Sequence, residues 1–432
     1  MRDHSKHVEL SREDAMDAML AALNDDFGFV AGKTLHTERI PLSESFGRIL
    51  AEDVFSQVDM PSALTCCMDS VALRWSDFEN LAPAEIPDTS NWTRGVQWEF
   101  ANTGIAMPAG FDTAIVIEHV EVSEDEQHIT IKAAPSKQYA GTRPAGSSMH
   151  EGEQLAHAGC IITPDVAARI ASGNHASVNV VCKPRVVFIP TGNELITPGF
   201  PCPESGKNFE TNSFVVRGKV EAWGGTFVPF DVVPDIPEKI SEAVKKACTL
   251  ADIVVLNAGS SKGSDDWSVE QLEEVGQIIC HQTNHAPGHH SSFAIVDETP
   301  IVGISGPAGG ASTTLNLYLL PLIKKFLGQD PAPQKVAAVM KEDFPPSKHK
   351  LASEEKNLPG EQRPSVVLES EEFFNIKPLL LEEGEDGILY ATPISRNNKH
   401  AEGSRANAFA LIKTSPQDMS PHKGEIIFAE RL

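Results

Sequence analysis

Cysteine is scarce and scattered, with seven in 432 residues and only Cys66 and Cys67 adjacent. No CxxC pair occurs, so neither a disulfide framework nor a closed zinc motif is encoded, and the thiols are expected to be reduced and structural. Positive charge is also in short supply: 36 Lys and Arg stand against 60 Asp and Glu, a formal net charge of -24. The summed field of such a chain repels a nucleic-acid backbone, which removes DNA and RNA from the expected partners while leaving room for a local basic patch to hold a phosphate. No stretch approaches 18 uninterrupted apolar residues, and the opening MRDHSKHVEL lacks the apolar run of a secretory signal. No membrane partner is therefore expected, and a cytoplasmic location is. The full P-loop pattern is missing as well, so a nucleoside triphosphatase is not indicated.

What is present is enough chain for several domains. Ser11 followed by Asp14 reads as a capping box, and Met16, Met19, Leu20 and Leu23 recur at the spacing of one helical face. From Gly32 to Val181 the segments are short and strand-like, separated by Pro, Gly and acidic turns, apart from a helix capped by Thr163 with Pro164 at its first position and Gly173 as its stop. The pattern then changes. The run RVVFIP is a strand, a helix begins near Asn212 and stops near Gly224, and TFVPFDVV is a second strand. Asp235, Pro237 and Glu238 open another helix with Ile240, Ala243, Val244 and Ala247 on one side, leading to the strand ADIVVL. This βαβαβ alternation predicts a largely parallel, helix-covered sheet whose ligand settles outside the carboxyl ends of the strands. Three loops take that position: Thr191 to Glu194, Asn257 to Asp266, and Ser305 to Gly310, the last followed by a helix holding Leu315, Leu319, Leu322 and Phe326. Beyond Gly328 a Pro-rich linker leads to a hundred residues of short strands and charged turns, read as a small terminal β domain.

The middle loop puts Gly259, Ser260, Ser261, Gly263 and Ser264 directly after a buried-type strand. Glycine allows close backbone approach, and backbone N-H groups and serine hydroxyls donate to oxyanions, so the composition suits a phosphate; a flexible connection is the plain alternative. Asp265 and Asp266 offer oxygen to Mg²⁺ or else cap a helix. Glu194, at the end of the preceding strand, has the chemistry to accept hydrogen bonds from a polar heterocycle or to ligate a metal. Cys280, His281, His285, His289 and His290 form a segment open to three readings: a transition-metal site, a ligand-binding loop with His289 and His290 as conditional cations, or packing. Asp69 sits in a polar turn after Pro61, where an Asx turn is the plain reading, and Asn102 to Gly110 is another turn-rich stretch that includes Thr103.

Taken in order, FGRILAEDV, PSALTCCMDSVAL, NTGIAMPAGFDTAIVIEHV, FIPTGNEL, FETNSFVVRGKVE and ADIVVLNAGSSKGSDDWS resemble the MoeA family of molybdopterin molybdenumtransferases, relatives of the gephyrin E domain. The likeness runs over nearly the whole chain. It implies an elongated, multidomain α/β and β subunit that forms a homodimer. Its four parts would be a discontinuous helical domain over 1–55 and 143–180, a β-rich insertion over 56–142, an α/β molybdopterin-binding domain over 181–328, and a C-terminal β barrel over 329–432. The implied function is to bind molybdopterin or adenylylated molybdopterin and insert molybdenum from molybdate, with Mg²⁺ or another divalent ion assisting release of AMP. The alternatives are a noncatalytic cofactor carrier or assembly subunit, serving molybdoenzyme maturation proteins, and a transferase for another metal or oxyanion.

Residue by residue, the resemblance implies catalytic roles for Asp69, Glu194 and Asp266, with Glu194, Asp265 and Asp266 toward the metal. Thr103, Asn212, Gly259, Ser260, Ser261, Gly263, Ser264 and His289 fall at ligand-binding positions, and Glu210 takes the place of an aspartate. The chain also departs from the pattern. Ser70-Val71 replaces Gly-Tyr, Pro144 to Ser148 replaces Arg-Arg-Gly-Glu-Asp, Ser305-Gly306-Pro307-Ala308 replaces Pro-Gly-Asn-Pro, and Ala286-Pro287-Gly288-His289-His290 replaces Lys-Pro-Gly-Lys-Pro. Two fixed positive charges are lost in the last exchange, so ligand binding is expected to be retained more fully than turnover.

Overall fold

Ser11 starts the first helix, Arg12–Asp26, by reciprocal capping: Asp14 N donates to Ser11 Oγ at 3.0 Å and Ser11 Oγ donates to the Asp14 carboxylate at 2.6 Å. The computed structural model describes residues 10–26, 36–199, 206–257, 268–345, 372–394, 405–414 and 420–432. The inward stripe of this helix is Arg12, Ala15, Met19 and Leu23; Met16 and Leu20, expected on it, are half-buried on its flank. The stripe is turned toward Arg12 because that guanidinium makes two parallel bonds of 2.7 Å to the buried Glu430 carboxylate.

The chain divides into two units, one of Thr37–Val181 and one joining Met1–His36 to Cys182–Leu432. The first opens and closes on one antiparallel ladder, Thr37–Pro41 against Ser177–Val181. Beside it the helix Pro164–Ser172 begins as its sequence demands, with Thr163 Oγ1 accepting from Val166 N at 3.3 Å and Gly173 at its end. Leu50, Ile162, Ile170 and Val180 fill this core. A separate core of Val71, Leu73, Trp98 and Ile115 lies at the sheet in which Ser70–Leu73 runs between Glu99–Ala101 and Thr113–Val116.

The second unit is built on a six-stranded sheet. Its order is Thr226–Val228, Arg185–Pro190, Ile253–Asn257, Thr299–Ile304, Ser292–Val296, Gln277–His281. The first four run parallel, and Ser292–Val296 is antiparallel to both of its neighbours. The helices Asn212–Ala222 and Pro237–Cys248 supply the crossovers, and the second buries Ile240, Ala243, Val244 and Ala247 as its spacing predicts. Two local expectations need correction. The second strand stops at Val228, because Pro229 has no N-H to continue the ladder, and only an isolated bridge from Thr191 to Val233 extends the pairing. Asp235 does not cap the helix at Pro237; its carboxylate instead accepts from Asn193 N at 3.0 Å.

After Thr299–Ile304 the chain enters a continuous helical run: Ala308–Thr314, a π turn over Leu315–Leu319, and Leu320–Phe326. Pro321 lacks an N-H and crowds the carbonyl one turn earlier, so the ladder widens just before it. Leu315, Leu319 and Leu322 are fully buried, while Phe326 is half-buried. The expected terminal β domain is a closed five-stranded barrel, in the order Phe374–Glu383, Leu389–Pro393, Lys335–Met340, Ile426–Arg431, Ala408–Lys413 and back to the first. Leu379, Ala391, Ala408, Ile427 and Ala429 line its interior. His285–Ala286 adds a short parallel pairing to Phe374 and Asn375.

Candidate functional site

Register places the chemistry. Pro190 lies opposite Asn257, and Asn257 opposite Ile304, so three parallel strands end level with one another. His281 and Ser292 close the same edge, because Ser292 pairs with both His281 and Gly303. From Arg185–Pro190 the chain crosses outward to the edge strand Thr226–Val228 and then back past its starting strand to Ile253–Asn257, whose own continuation lies on the other side, so the connections of these two adjacent strands diverge, the arrangement that leaves a crevice between their ends.

Asn212 and Asn257 meet there. Asn212 Nδ2 donates to Asn257 Oδ1 at 2.7 Å and to Gly306 O at 2.9 Å, tying the start of a helix to the ends of two strands. Thr191 Oγ1 donates to the Asn257 carbonyl in a very short bond. Asn212, Asn257 and Thr191 are all buried, and Asn212 Oδ1 has no partner among the described residues. A buried acceptor in that state costs about 1–3 kcal/mol, which a donor arriving on a ligand would recover. Glu210, also buried, accepts from Ser213 N at 2.9 Å and so opens the Asn212 helix.

Glu194 occupies the neighbouring turn. Gly192 has φ +149, and a Cβ added there would stand 2.7 Å from Glu194 Oε2, so the carboxylate folds over a residue that only glycine can be. The turn is fixed by reciprocal bonds of Asn193 and Asp235 and by Lys207 Nζ, which donates to Asn193 O at 2.7 Å. Glu194 itself is exposed. The expected anion cradle, Gly259, Ser260, Ser261, Gly263 and Ser264, and the expected metal carboxylates Asp265 and Asp266, lie outside the described residues.

The histidine segment is a packed loop. His285 is fully buried: its Nδ1 lies 3.0 Å from Pro287 O, so that nitrogen carries the proton and Nε2 accepts from the Tyr318 hydroxyl at 2.7 Å. Burial pushes its pKa down to about 4. Ser291 Oγ donates to Gly288 O at 2.6 Å and pairs with Thr314 Oγ1 at 2.7 Å, joining this loop to the helix that follows Ser305 to Pro307. His289 is half-buried, and its Nδ1 donates to Thr283 O at 2.5 Å. Among the described residues no three His, Cys, Asp or Glu side chains converge on a metal position.

Asp69 and Thr103 belong to the other unit and form a pair of their own. Thr103 donates to Asp69 Oδ1 from both its N, at 2.9 Å, and its Oγ1, at 3.1 Å, and these bonds hold the carboxyl below its usual pKa. The plain expectation of a local Asx turn is not met: the Asp69 carboxylate takes its bonds from Thr103, 34 residues along the chain, rather than from the backbone two residues on. Thr103 lines a cleft of about 410 Å³ with Cys66, Cys67, Arg143 and Ser148. Arg143 was not singled out from the sequence, although it immediately precedes the altered Pro144 to Ser148 segment; nor were Thr191, Asn257 and Lys207 as individual residues. Position at a strand end was the available signal for the first two.

Residues 10–173 match the family described as MoeA N-terminal region (domain I and II), and residues 187–325 match the probable molybdopterin binding domain. The molybdopterin molybdenumtransferase of Haemophilus influenzae is 29% identical over 300 residues, covering 68% of this chain and 74% of that protein. The enzyme of the same name from Bacillus subtilis is 27% identical over 324 residues, 72% of this chain and 75% of the relative. A molybdopterin biosynthesis MoeA protein from Pyrococcus horikoshii superposes with a TM-score of 0.72 at 20% identity, covering 98% of this chain and 99% of its own. Among the described residues no helix is long and apolar enough to cross a membrane.

Proposed function

Since the chain belongs to the MoeA family, we propose that it binds molybdopterin or adenylylated molybdopterin and inserts molybdenum from molybdate, with release of AMP. The observation that carries this reading is the buried Asn212 to Asn257 junction, whose Asn212 Oδ1 is unpartnered among the described residues, at the topological switch point of the sheet. Pterin amides and ring N-H groups are the kind of donor such an acceptor takes. Glu194, Asp265 and Asp266 are the proposed oxygen ligands of Mg²⁺ or another divalent ion, and the exposed Glu194 carboxylate suits a hard cation. When bound, the ion would neutralise developing phosphate charge. Gly259, Ser260, Ser261, Gly263, Ser264 and His289 are assigned to the phosphates, and Asp69 and Thr103 to the reaction, through the family pattern.

A homodimer, a cytoplasmic location and the four-part division given above belong to the same proposal. Light scattering that reports one chain mass across a wide concentration series would remove the dimer from it.

The deciding experiment is anaerobic incubation of metal-free protein with adenylylated molybdopterin, molybdate and a defined divalent ion, with bound pterin, AMP and metallated cofactor measured together. AMP and metallated cofactor appearing together establish the insertase. Stoichiometric pterin without AMP establishes the carrier alternative, a reading favoured by His289, whose Nδ1 proton is committed to Thr283 where the family has a lysine. No binding of either pterin form ends the assignment.

A further inference from the structure

A second cavity of the same unit, of about 240 Å³, has walls unlike the crevice described above. Rings form much of it: Trp223 at the end of the Asn212 helix, Pro321 in the last helix, and Phe409 of the barrel. Lys324 and Arg431 also line it. Arg12 contributes no net charge, because Glu430 neutralises it, whereas Lys324 and Arg431 have no carboxylate within ion-pair distance among the described residues. Lys324 is half-buried and Arg431 exposed, so both charges are available to a ligand entering this cavity.

Lys219 adds a third cation in contact with two residues of this wall. Its Nζ donates to Asn316 Oδ1 at 2.5 Å and lies 5.1 Å from the centre of the Trp223 ring, and both residues line the cavity. Partial burial without a carboxylate partner brings its pKa down to about 8. An anion seated here would restore the charge that burial suppresses, and a flat ring would lie against Trp223 and the proline faces. We propose that this cavity is a binding site for a small planar-ringed anion, a heteroaromatic phosphate or carboxylate, held by Lys324, Arg431 and Lys219 against Trp223. It is separate from the molybdopterin crevice and does not depend on that assignment.

Pyridoxal 5′-phosphate is a suitable probe, since it carries ring and phosphate together and its aldehyde reports which amine it meets. The aldehyde carbon condenses with the neutral Nζ of a lysine, water leaves, and added borohydride reduces the imine to a stable secondary amine that peptide mapping locates. The full-length protein is expected to be labelled at Lys219 before exposed lysines such as Lys239 and Lys245, and about tenfold more readily by pyridoxal 5′-phosphate than by pyridoxal, which lacks the anion. Competition by benzoate and by inorganic phosphate tells the carboxylate from the phosphate preference. Lys324→Glu with Arg431→Glu should remove the selectivity for Lys219; Lys324→Gln with Arg431→Gln, which adds no repulsion, should weaken it in the same direction. Labelling of Lys219 no faster than of Lys239, or labelling unaffected in a folded Gln pair, overturns the proposal.

Discussion

Asn212 and Asn257 stand 45 residues apart in the chain and 2.7 Å apart in space, and through the second bond of the same amide the pair also holds Gly306. One side chain thus sets the spacing of the first helix of the α/β layer against two strand ends. Asn212→Asp replaces the donor of both bonds by a carboxylate that faces two acceptors. Loss of about 2–3 kcal/mol of stability in urea denaturation is expected, together with loss of pterin binding. Full retention of both would mean that the junction is not what shapes the crevice.

Gly192→Ala tests the neighbouring turn. The backbone at φ +149 strains any side chain, and the new methyl group would collide with the Glu194 carboxylate at 2.7 Å. Destabilisation of about 1–2 kcal/mol is expected. Dependence on divalent ion should weaken far more than pterin affinity, since the substitution displaces a carboxylate rather than the Asn212 amide. Titration of binding with and without Mg²⁺ reads the difference.

Arg12 and Glu430 are buried and separated by 418 positions. Removing one charge strands the other, so Arg12→Met is expected to cost about 3–5 kcal/mol. The pair Arg12→Met with Glu430→Leu should cost clearly less than the sum of the single substitutions, a sign of coupling that denaturation of the four proteins in a double-mutant cycle measures. Additive costs would show that the ion pair contributes little.

His285 makes stability depend on pH in a stated direction. Its ordinary pKa of 6.5 is lowered to about 4 in the folded protein, first by burial, against the opposing bond to Pro287 O, and further by the charges of Arg12 and His289. The folded state holds the neutral ring, so the unfolded chain binds the extra proton between these values. Stability from this group is complete above pH 6.5 and is lost as pH falls toward 4, by about 3 kcal/mol at full extent. Carboxylates titrate in the same range, so the measurement is the difference in pH slope between the protein and His285→Asn. Equal slopes would place the proton elsewhere.

The α/β layer was legible because its signals are local. Pro237 with Ile240, Ala243, Val244 and Ala247 declares a helix within twelve residues, and Thr163, Pro164 and Gly173 declare another. The loops at the strand ends could likewise be picked out, since their position follows from the order of strand and helix. What they do with one another could not. Whether Asp235 capped its own helix or reached back to Asn193 depends on strand adjacency, and local sequence favoured the first. His285 and His289 had metal-ligand chemistry, but their partners are Tyr318 and main-chain carbonyls, which leave no mark in spacing. The pairing of Asp69 with Thr103, across 34 positions, and the closing of the barrel are likewise matters of tertiary register.

The two-residue pairing of His285 and Ala286 with Phe374 and Asn375 has a mechanical meaning. Phe374 N donates to Asn284 O at 2.8 Å, so the loop carrying His289 is stitched to the first strand of the barrel. That strand is itself clamped on both edges by Leu389–Pro393 and Ala408–Lys413. The closed ring of the barrel is thereby fastened to the loop that follows the edge strand Gln277–His281. The barrel and this loop are thus tethered through backbone bonds as well as through the intervening chain, and parting them would strand main-chain groups on both sides.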